Sequence, residues 1–399
     1  MRLKNLRNLF LGLALMSVVA LVSYKIGQGN KILPVNEGKF DLSLMWEVKD
    51  ILAGKYLDKD KVDNEAMRYG AVQGMVSALD DPYTMFLPPV ENKSANEDLA
   101  GEFAGVGISL GYKDKTLAVM SPIAKSPAMK AGVQAGDLIL KITDKAKNVD
   151  KDTAGISLDE AVKLIRGDVG TEVVLKMYRE GKADTFDVKL IRDNIEIPGM
   201  ELEWKESEGK KYAWVKFYKF SEQVFKEWPE IVSRIKSGRG SNYGGIILDM
   251  RNNPGGYLQA SVLVASDFLK EGVVVKQESK KGIDEVYQVD PSAGGLLNDK
   301  LVVLVNGGSA SAAEILAGAL RDHGRAKVVG QKTFGKGTVQ QTEEFKDGSG
   351  LHITVARWLL PNGKNIHGDG LEPDVKVEPG EDIKIDVQLD KAIEVLGEI

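Results

Sequence analysis

Between residues 212 and 329 the chain alternates two textures, and this alternation restricts its fold more than any other feature. Short, almost wholly apolar runs at 212–217, 245–249, 301–305 and 326–329 read as strands. The stretches between them, 221–236, 259–269 and 312–322, carry helical spacing. A strand that is apolar throughout must be covered on both faces, as parallel strands with helical crossovers are. The pattern predicts a layered α/β domain over 193–380. A terminal segment, 381–399, holds an amphipathic helix at 386–396 with Val387, Leu389, Ala392, Ile393 and Leu396 on its apolar positions.

The text upstream is different. Residues 101–192 are short strands separated by glycine turns, with one helix started by a Ser157-to-Glu160 capping box. The span 145–155 reads as an enlarged loop of this β-rich module. Residues 31–100 are helical, at 41–56 and 64–79, and Asp80-Asp81-Pro82-Tyr83 stops the second helix. Residues 91–99 are polar and are expected to be exposed. The expected architecture is therefore multidomain α/β: N-terminal helices, a β-rich module and a layered core with a C-terminal helix.

The N-terminus reads as a targeting segment. Arg2, Lys4 and Arg7 precede an uncharged apolar run, 9–24. At about 16 residues it is short against the ~17–25 of a spanning helix. Basic flank and apolar stretch have the form of an export signal, and no Ala-x-Ala site follows. We expect an uncleaved signal anchor within 1–30, with the rest of the chain on the outer face of a cytoplasmic membrane or in the periplasm. The chain has no cysteine, which excludes disulfides, thiolate metal sites and a cysteine nucleophile. Three scattered histidines argue against a metal centre. A net charge of −5 gives no electrostatic case for nucleic acid. No cofactor is expected, and self-association into a homo-oligomer stays open.

The chemistry concentrates late in the chain. Val305-Asn306-Gly307-Gly308-Ser309-Ala310-Ser311-Ala312-Ala313-Glu314 sets a serine at a strand-to-helix turn. Ser311 is a candidate nucleophile, Ser309 its rival, and the Ser311-to-Glu314 spacing equally fits a helix cap. No histidine has a motif context, so Lys336, in Gly335-Lys336-Gly337, is the economical base. It must lose a proton held with pKa ~10.4 and titrate nearer ~7–8, which burial can achieve. Phe334 and Val339 are candidate walls for that burial. Gln340 could orient the amine or simply face outward. Gly330 to Lys336 also imitates a phosphate-binding loop, but Gly337 replaces the required Ser or Thr and no helix pattern follows. Asn252-Asn253-Pro254-Gly255-Gly256 follows a buried strand end. An N–H of Gly255 or Gly256 could pair with that of Ala312 as an oxyanion hole, or the segment is only a turn. Gly105, Val106, Gly107 and Ile108 could offer N–H groups to a peptide carboxylate, or be plain turn residues.

These motifs, in this order, resemble the carboxyl-terminal processing proteases, also called tail-specific proteases. The resemblance runs from about Asp41 to Leu396. It rests on Leu79-Asp80-Asp81-Pro82-Tyr83, the PDZ-like module, Leu248 to Gly256, the Ser-Ala-Ser-Ala-Ala-Glu run and Thr333 to Gln340. It implies a crotonase-like serine protease core and a PDZ-like peptide-binding module that takes substrate C-termini. It also implies Ser311 as nucleophile, Lys336 as base and Gln340 as support for the lysine. In some relatives an arginine at the place of Arg166 couples peptide binding to the active site; without the resemblance Arg166 is a helix-end cation. Partners would be proteins or peptides with accessible C-termini. The rival from another class is a non-catalytic PDZ scaffold on a protease-like fold.

Overall fold

The computed structural model describes residues 41–399, apart from Ala124, Glu381, Ile383, Lys384 and the side chain of Asp159. The expected anchor at 9–24 lies outside the described residues. Among those described, no helix is long and apolar enough to cross a membrane. The described residues form two compact units, 41–71 and 72–399. In the first, helix α1 (Ser43–Lys55) leaves Leu44, Trp46, Val48 and Ile51 exposed. Asp63 starts α2 (Asn64–Ser77) by accepting the Ala66 N–H at 2.7 Å, which satisfies one of the helix's first donors.

The second unit takes in the end of α2 from Val72 and continues with strand β1 (Met85–Leu87) and helix α3 (Pro89–Ala100). The stretch expected to be exposed is thus a helix. Pro89 pre-sets its first turn and Gly101, at φ +75°, ends it. Asn92 is buried, with Nδ2 donating to the Gly348 carbonyl at 3.1 Å. Polar composition alone hid this helix because its packing runs through a single asparagine.

Next comes the inserted module: β2 (Glu102–Gly105), β3 (Ile108–Lys113), β4 (Thr116–Pro122), α4 (Pro127–Lys130), β5 (Leu138–Asp144), β6 (Val149–Asp152), α5 (Leu158–Ile165), β7 (Glu172–Tyr178), β8 (Phe186–Ile191) and β9 (Asp193–Glu196). Its sheet runs β3-β4-β5-β7-β8, with β6 beside β5. The enlarged loop therefore contains a strand. The module closes on its own core of Leu117, Ile139, Ile142, Leu175 and Met177. Strand β2 pairs antiparallel with β9, so the chain enters and leaves through one two-stranded ribbon.

The remaining chain builds two sheets from β10 (Met200–Ser207), β11 (Lys210–Phe217), α6 (Gln223–Gly238), β12 (Tyr243–Asp249), α7 (Leu258–Phe268), β13 (Val273–Ser279), β14 (Gly282–Gln288), β15 (Leu301–Val305), α8 (Ala312–Asp322), β16 (Lys327–Gly330), β17 (Thr338–Glu344), β18 (Gly350–Leu359), β19 (Val375–Lys376) and α9 (Val387–Glu398). The central sheet is ordered β10-β11-β12-β15-β16-β19 and is parallel except for β10. Its apolar runs split by alternation. In β15, Leu301, Val303 and Val305 face the core under α6, α7 and α8. Val302 and Leu304 face α9 through Leu389, Ile393 and Leu396. Both faces are covered, as uninterrupted apolarity required. The second sheet, β1-β18-β13-β14 with β17 on β18, is antiparallel. Strands β10 and β14 carry charges on open faces, and β13 is apolar only in Val273, Val274 and Val275, too short a run to read as a strand.

Candidate active site

The serine turn is built from the ends of two neighbouring parallel strands. After β15, Asn306 ties its loop to the one after β12. Its Oδ1 accepts the Asn252 N–H at 2.8 Å and the Gly308 N–H at 3.0 Å, and its Nδ2 donates to Asn252 Oδ1 at 2.9 Å. Ser309 is fully buried; its hydroxyl donates to the Met250 carbonyl at 2.7 Å and accepts the Asn306 N–H at 2.9 Å. Its oxygen is committed to the scaffold, so the rival serine is a strut. Ser311, half-exposed, caps α8 with φ 55° and ψ −116°. A non-glycine residue holds such a conformation only when its surroundings impose it. A strained serine at a strand-to-helix turn is the arrangement that lifts a hydroxyl out of the backbone towards a substrate.

The loop after β12 lies directly on this turn. Gly255 has φ +94°, and a Cβ there would stand 2.7 Å from the Ala310 oxygen and 2.7 Å from the Ser311 Cβ. Glycine is required because two backbones touch at this point. The Gly255 N–H donates to Asn253 Oδ1 at 2.9 Å, so it is already engaged. Gly256 packs on the Phe220 carbonyl instead. Ala312 is the first helical residue of α8, and its N–H has no preceding turn to bond.

The lysine loop is fastened to the serine turn through one carboxylate. Glu314 is fully buried. Its Oε2 accepts the Ser311 N–H at 2.8 Å and the Lys336 N–H at 2.9 Å. Its Oε1 accepts the Gly335 N–H at 2.7 Å and the Thr333 hydroxyl at 2.5 Å. Phe334 adds an N–H to the Ser309 carbonyl at 3.0 Å. The Lys336 carbonyl receives the Trp358 indole N–H at 2.9 Å. The chain then runs into strand β17, not a helix, which removes the phosphate-loop reading.

The Lys336 side chain is largely withdrawn from water. Burial pushes its ammonium below the ordinary lysine value, against an upward pull from the Asp81 carboxylate. The walls differ from those expected. Phe334 is 55% exposed, whereas Tyr83 places its ring 5.1 Å from the lysine Nζ. Val339 packs against the main core. Gln340 does not reach the lysine here: its Nε2 donates to Thr338 Oγ1 at 2.9 Å and Thr354 Oγ1 at 3.2 Å. His352 lies near enough that burial, and then the lysine charge, hold its imidazole below the usual range. Tyr83 and the reach of Glu314 were missed. From the residues alone Asp80 to Tyr83 marked a helix stop, and the family resemblance used the segment as a motif without giving Tyr83 a role.

In the inserted module, β3 is a sheet edge with one side unpaired. Val106 is buried in the module core, and its carbonyl accepts the Ala128 N–H at 3.0 Å. Gly107, at φ +73°, turns its carbonyl to the Ile123 N–H at 2.9 Å. Gly105 ends β2, and Ile108 opens the free edge. Arg166 caps α5, its guanidinium 4.5 Å from the Phe103 ring and 3.5 Å from Glu97 of α3.

Known proteins share this layout. The "Peptidase family S41" model matches residues 211–377, "PDZ domain" matches 104–190 and "Activating protease CtpB N-terminal domain" matches 29–89. A "Probable CtpA-like serine protease" of Staphylococcus haemolyticus (strain JCSC1435) is 37% identical over 374 residues, covering 92% of this chain and 71% of that protein. The chain belongs to peptidase family S41, among the C-terminal processing proteases. Its Staphylococcus aureus (strain N315) relative of the same description is 36% identical, over 93% of this chain and 72% of that one. The solved "Photosystem II D1 C-terminal processing protease" aligns with TM-score 0.50 and 29% identity, covering 89% of this chain and 96% of that one. This S41 chain is a serine-type peptidase with a PDZ domain, and its fold is multidomain α/β.

Proposed function

We propose that this S41 peptidase cleaves proteins delivered by their C-termini, using Ser311 as nucleophile and Lys336 as general base. The observation that carries the proposal is Glu314, one of whose oxygens accepts the N–H of both residues. Neutral Lys336 takes the Ser311 proton as Oγ bonds to the scissile carbonyl carbon. The carbonyl oxygen becomes an oxyanion, for which Ala312 and Gly256 offer N–H groups. The Lys336 ammonium then protonates the leaving amine and the C–N bond breaks. Water, deprotonated by the same lysine, hydrolyses the acyl-serine. Gln340 enters this scheme by turning from Thr354 to the amine once substrate is bound.

The free edge of β3 supports a peptide adding as a strand, its carboxylate at Gly105 to Ile108. The segment at 9–24 supports attachment to the outer face of a membrane; recovery of the full-length chain in the cytosolic fraction contradicts it. The proteolytic reading is tested by incubating the chain lacking residues 1–30 with an unfolded substrate, beside its Ser311→Ala variant. Cleavage by the first alone supports the proposal. Equal cleavage by both defeats it.

A further inference from the structure

The turn Asp81-Pro82-Tyr83-Thr84 is built as a fixed mount. The Asp81 carboxylate accepts the Tyr83 N–H at 3.0 Å and the Thr84 hydroxyl at 2.7 Å. Thr84 Oγ1 in turn accepts the Thr354 N–H at 3.0 Å. The next residues join the second sheet, with Met85, Phe86 and Leu87 opposite His352, Leu351 and Gly350. A segment far away in sequence is thereby bolted beside the lysine loop. What it presents there is the face of Tyr83, 5.1 Å from the Lys336 Nζ. The ring is braced by His367, centroid to centroid 5.9 Å at 67°.

A lysine base has two demands that conflict. It must start neutral, and it must be stable as an ammonium midway through the reaction. A carboxylate in contact would keep it charged from the outset. An aromatic face cannot take the proton, excludes water, and attracts the ammonium through the negative face of its ring. Among the described residues no hydrogen-bond acceptor is recorded for the Nζ, and the ring is its contact. Asp81 is turned into its own turn and acts on the amine from a distance. The other charged or titratable groups facing this site are His352 on β18, His367 beside the ring and Glu314 below the loop.

We infer that Tyr83 is a positioning residue for the peptidase reaction, its ring face receiving the Lys336 ammonium that forms when Ser311 is deprotonated. The inference rests on the Ser311–Lys336 reading. It concerns the ring and not the hydroxyl, so it separates three substitutions. Tyr83→Phe keeps the face. Tyr83→Leu keeps an apolar wall and loses the attraction for the cation. Tyr83→Ala admits water.

The test titrates the Lys336 amine directly, by NMR of the ¹³C-dimethylated chain in a Ser311→Ala background. The Lys336 signal is assigned by its loss in Lys336→Arg. Parallel pH profiles of kcat/KM use the Ser311 enzymes. In Tyr83→Phe the amine should titrate as in the parent. In Tyr83→Leu it should titrate about one unit lower. In Tyr83→Ala it should move upward, because burial is the larger influence on it. The acid limb of kcat/KM should follow each shift, whereas a purely structural role would lower activity equally at all pH. Identical titration in the parent and Tyr83→Leu overturns the inference, as does a shift in Tyr83→Phe. An amine that moves while the kcat/KM limb stays fixed instead defeats the Ser–Lys reading and leaves the contact standing. Should Tyr83→Ala fail to fold, the Phe and Leu pair still decides.

Discussion

Ser311 sits in a backbone conformation that costs on the order of 1–3 kcal/mol. That cost is carried by the struts around it: Ser309 beneath, Asn306 across and Glu314 behind. The residues divide accordingly into those proposed to react and those that hold. Ser311→Ala, Lys336→Ala and Lys336→Arg should each abolish proteolysis while leaving the circular dichroism spectrum intact, since guanidinium cannot serve as a base at neutral pH. Full activity in either lysine variant would remove the dyad. Ser309→Ala should behave oppositely, cleaving substrate but unfolding about 1–3 kcal/mol more easily in urea, because it leaves the Asn306 N–H without its acceptor and the Met250 carbonyl with only the Asn253 N–H. Gly255→Ala should fold with local distortion and lose about 10²-fold in kcat, because its Cβ would collide with the serine turn. Unchanged kcat there would mean that the loop is not part of the reacting geometry. Ser311 and Lys336 could be singled out as candidates from the sequence because their motifs are local. Tyr83 was illegible as a lysine wall because only the β1–β18 pairing brings it there, and no spacing rule encodes that.

Element boundaries followed the periodicity closely wherever burial was one-sided or complete. The apolar runs at β12 and β15 and the helices α6 to α8 stand where their patterns placed them. Failures cluster where an element is held by polar contacts. Helix α3 is the clearest case, since beyond the buried Asn92 its contacts are ionic. Glu97 faces Arg166 of the PDZ domain at 3.5 Å, Lys93 faces Asp168 at 3.8 Å, and Asp98 pairs with Lys219 ahead of Phe220. Phe220 donates its N–H to the Gly255 carbonyl at 2.9 Å. A helix read as a solvated stretch thus touches both the PDZ domain and the segment after β11 that hydrogen-bonds to the Gly255 loop. We predict that Arg166→Ala slows cleavage of protein substrates with apolar C-termini while leaving cleavage of a short peptide unchanged. Glu97→Ala should do the same if the ion pair carries the coupling. A wild-type rate in both, at low salt, where exposed pairs are strongest, would show that the helix is only a spacer.

On the scale of the molecule, the PDZ domain is stable by its own means. Arg192 and Asp144 form an ion pair with both side chains fully buried, 2.7 Å apart. Arg192 also donates to the carbonyls of Ile165 and Leu164 at the end of α5. Burial pushes the Asp144 carboxyl up, but the Arg192 hydrogen bond and the Lys147 N–H outweigh it and leave it below the ordinary value. A carboxyl lowered on folding stabilises above its unfolded pKa of ~3.9, and that contribution is lost as pH falls through the folded value. The PDZ domain should therefore weaken below about pH 4, and Arg192→Ala should destabilise it by about 3–5 kcal/mol at neutral pH. The readouts separate cleanly, since all 5 tryptophans lie outside residues 102–196. The fluorescence of Trp204, Trp214, Trp228 and Trp358 follows the core, with exposed Trp46 on α1 as a constant background, and far-UV circular dichroism follows both. Coincident transitions in Arg192→Ala would mean that the two do not unfold independently. The ribbon of β2 and β9 carries a different kind of consequence. Glu102 stands opposite Glu196, and the Ile197 N–H already donates to the Gly101 carbonyl at 2.7 Å. The two ends of the insertion meet, so the flanking chain can be rejoined where it already touches. In genetic terms the insertion is a cassette. Replacing 102–196 by a short glycine linker should yield a folded peptidase whose rate shows whether the cassette restrains or recruits, and grafting a foreign cassette at the same seam should transfer its choice of C-terminus.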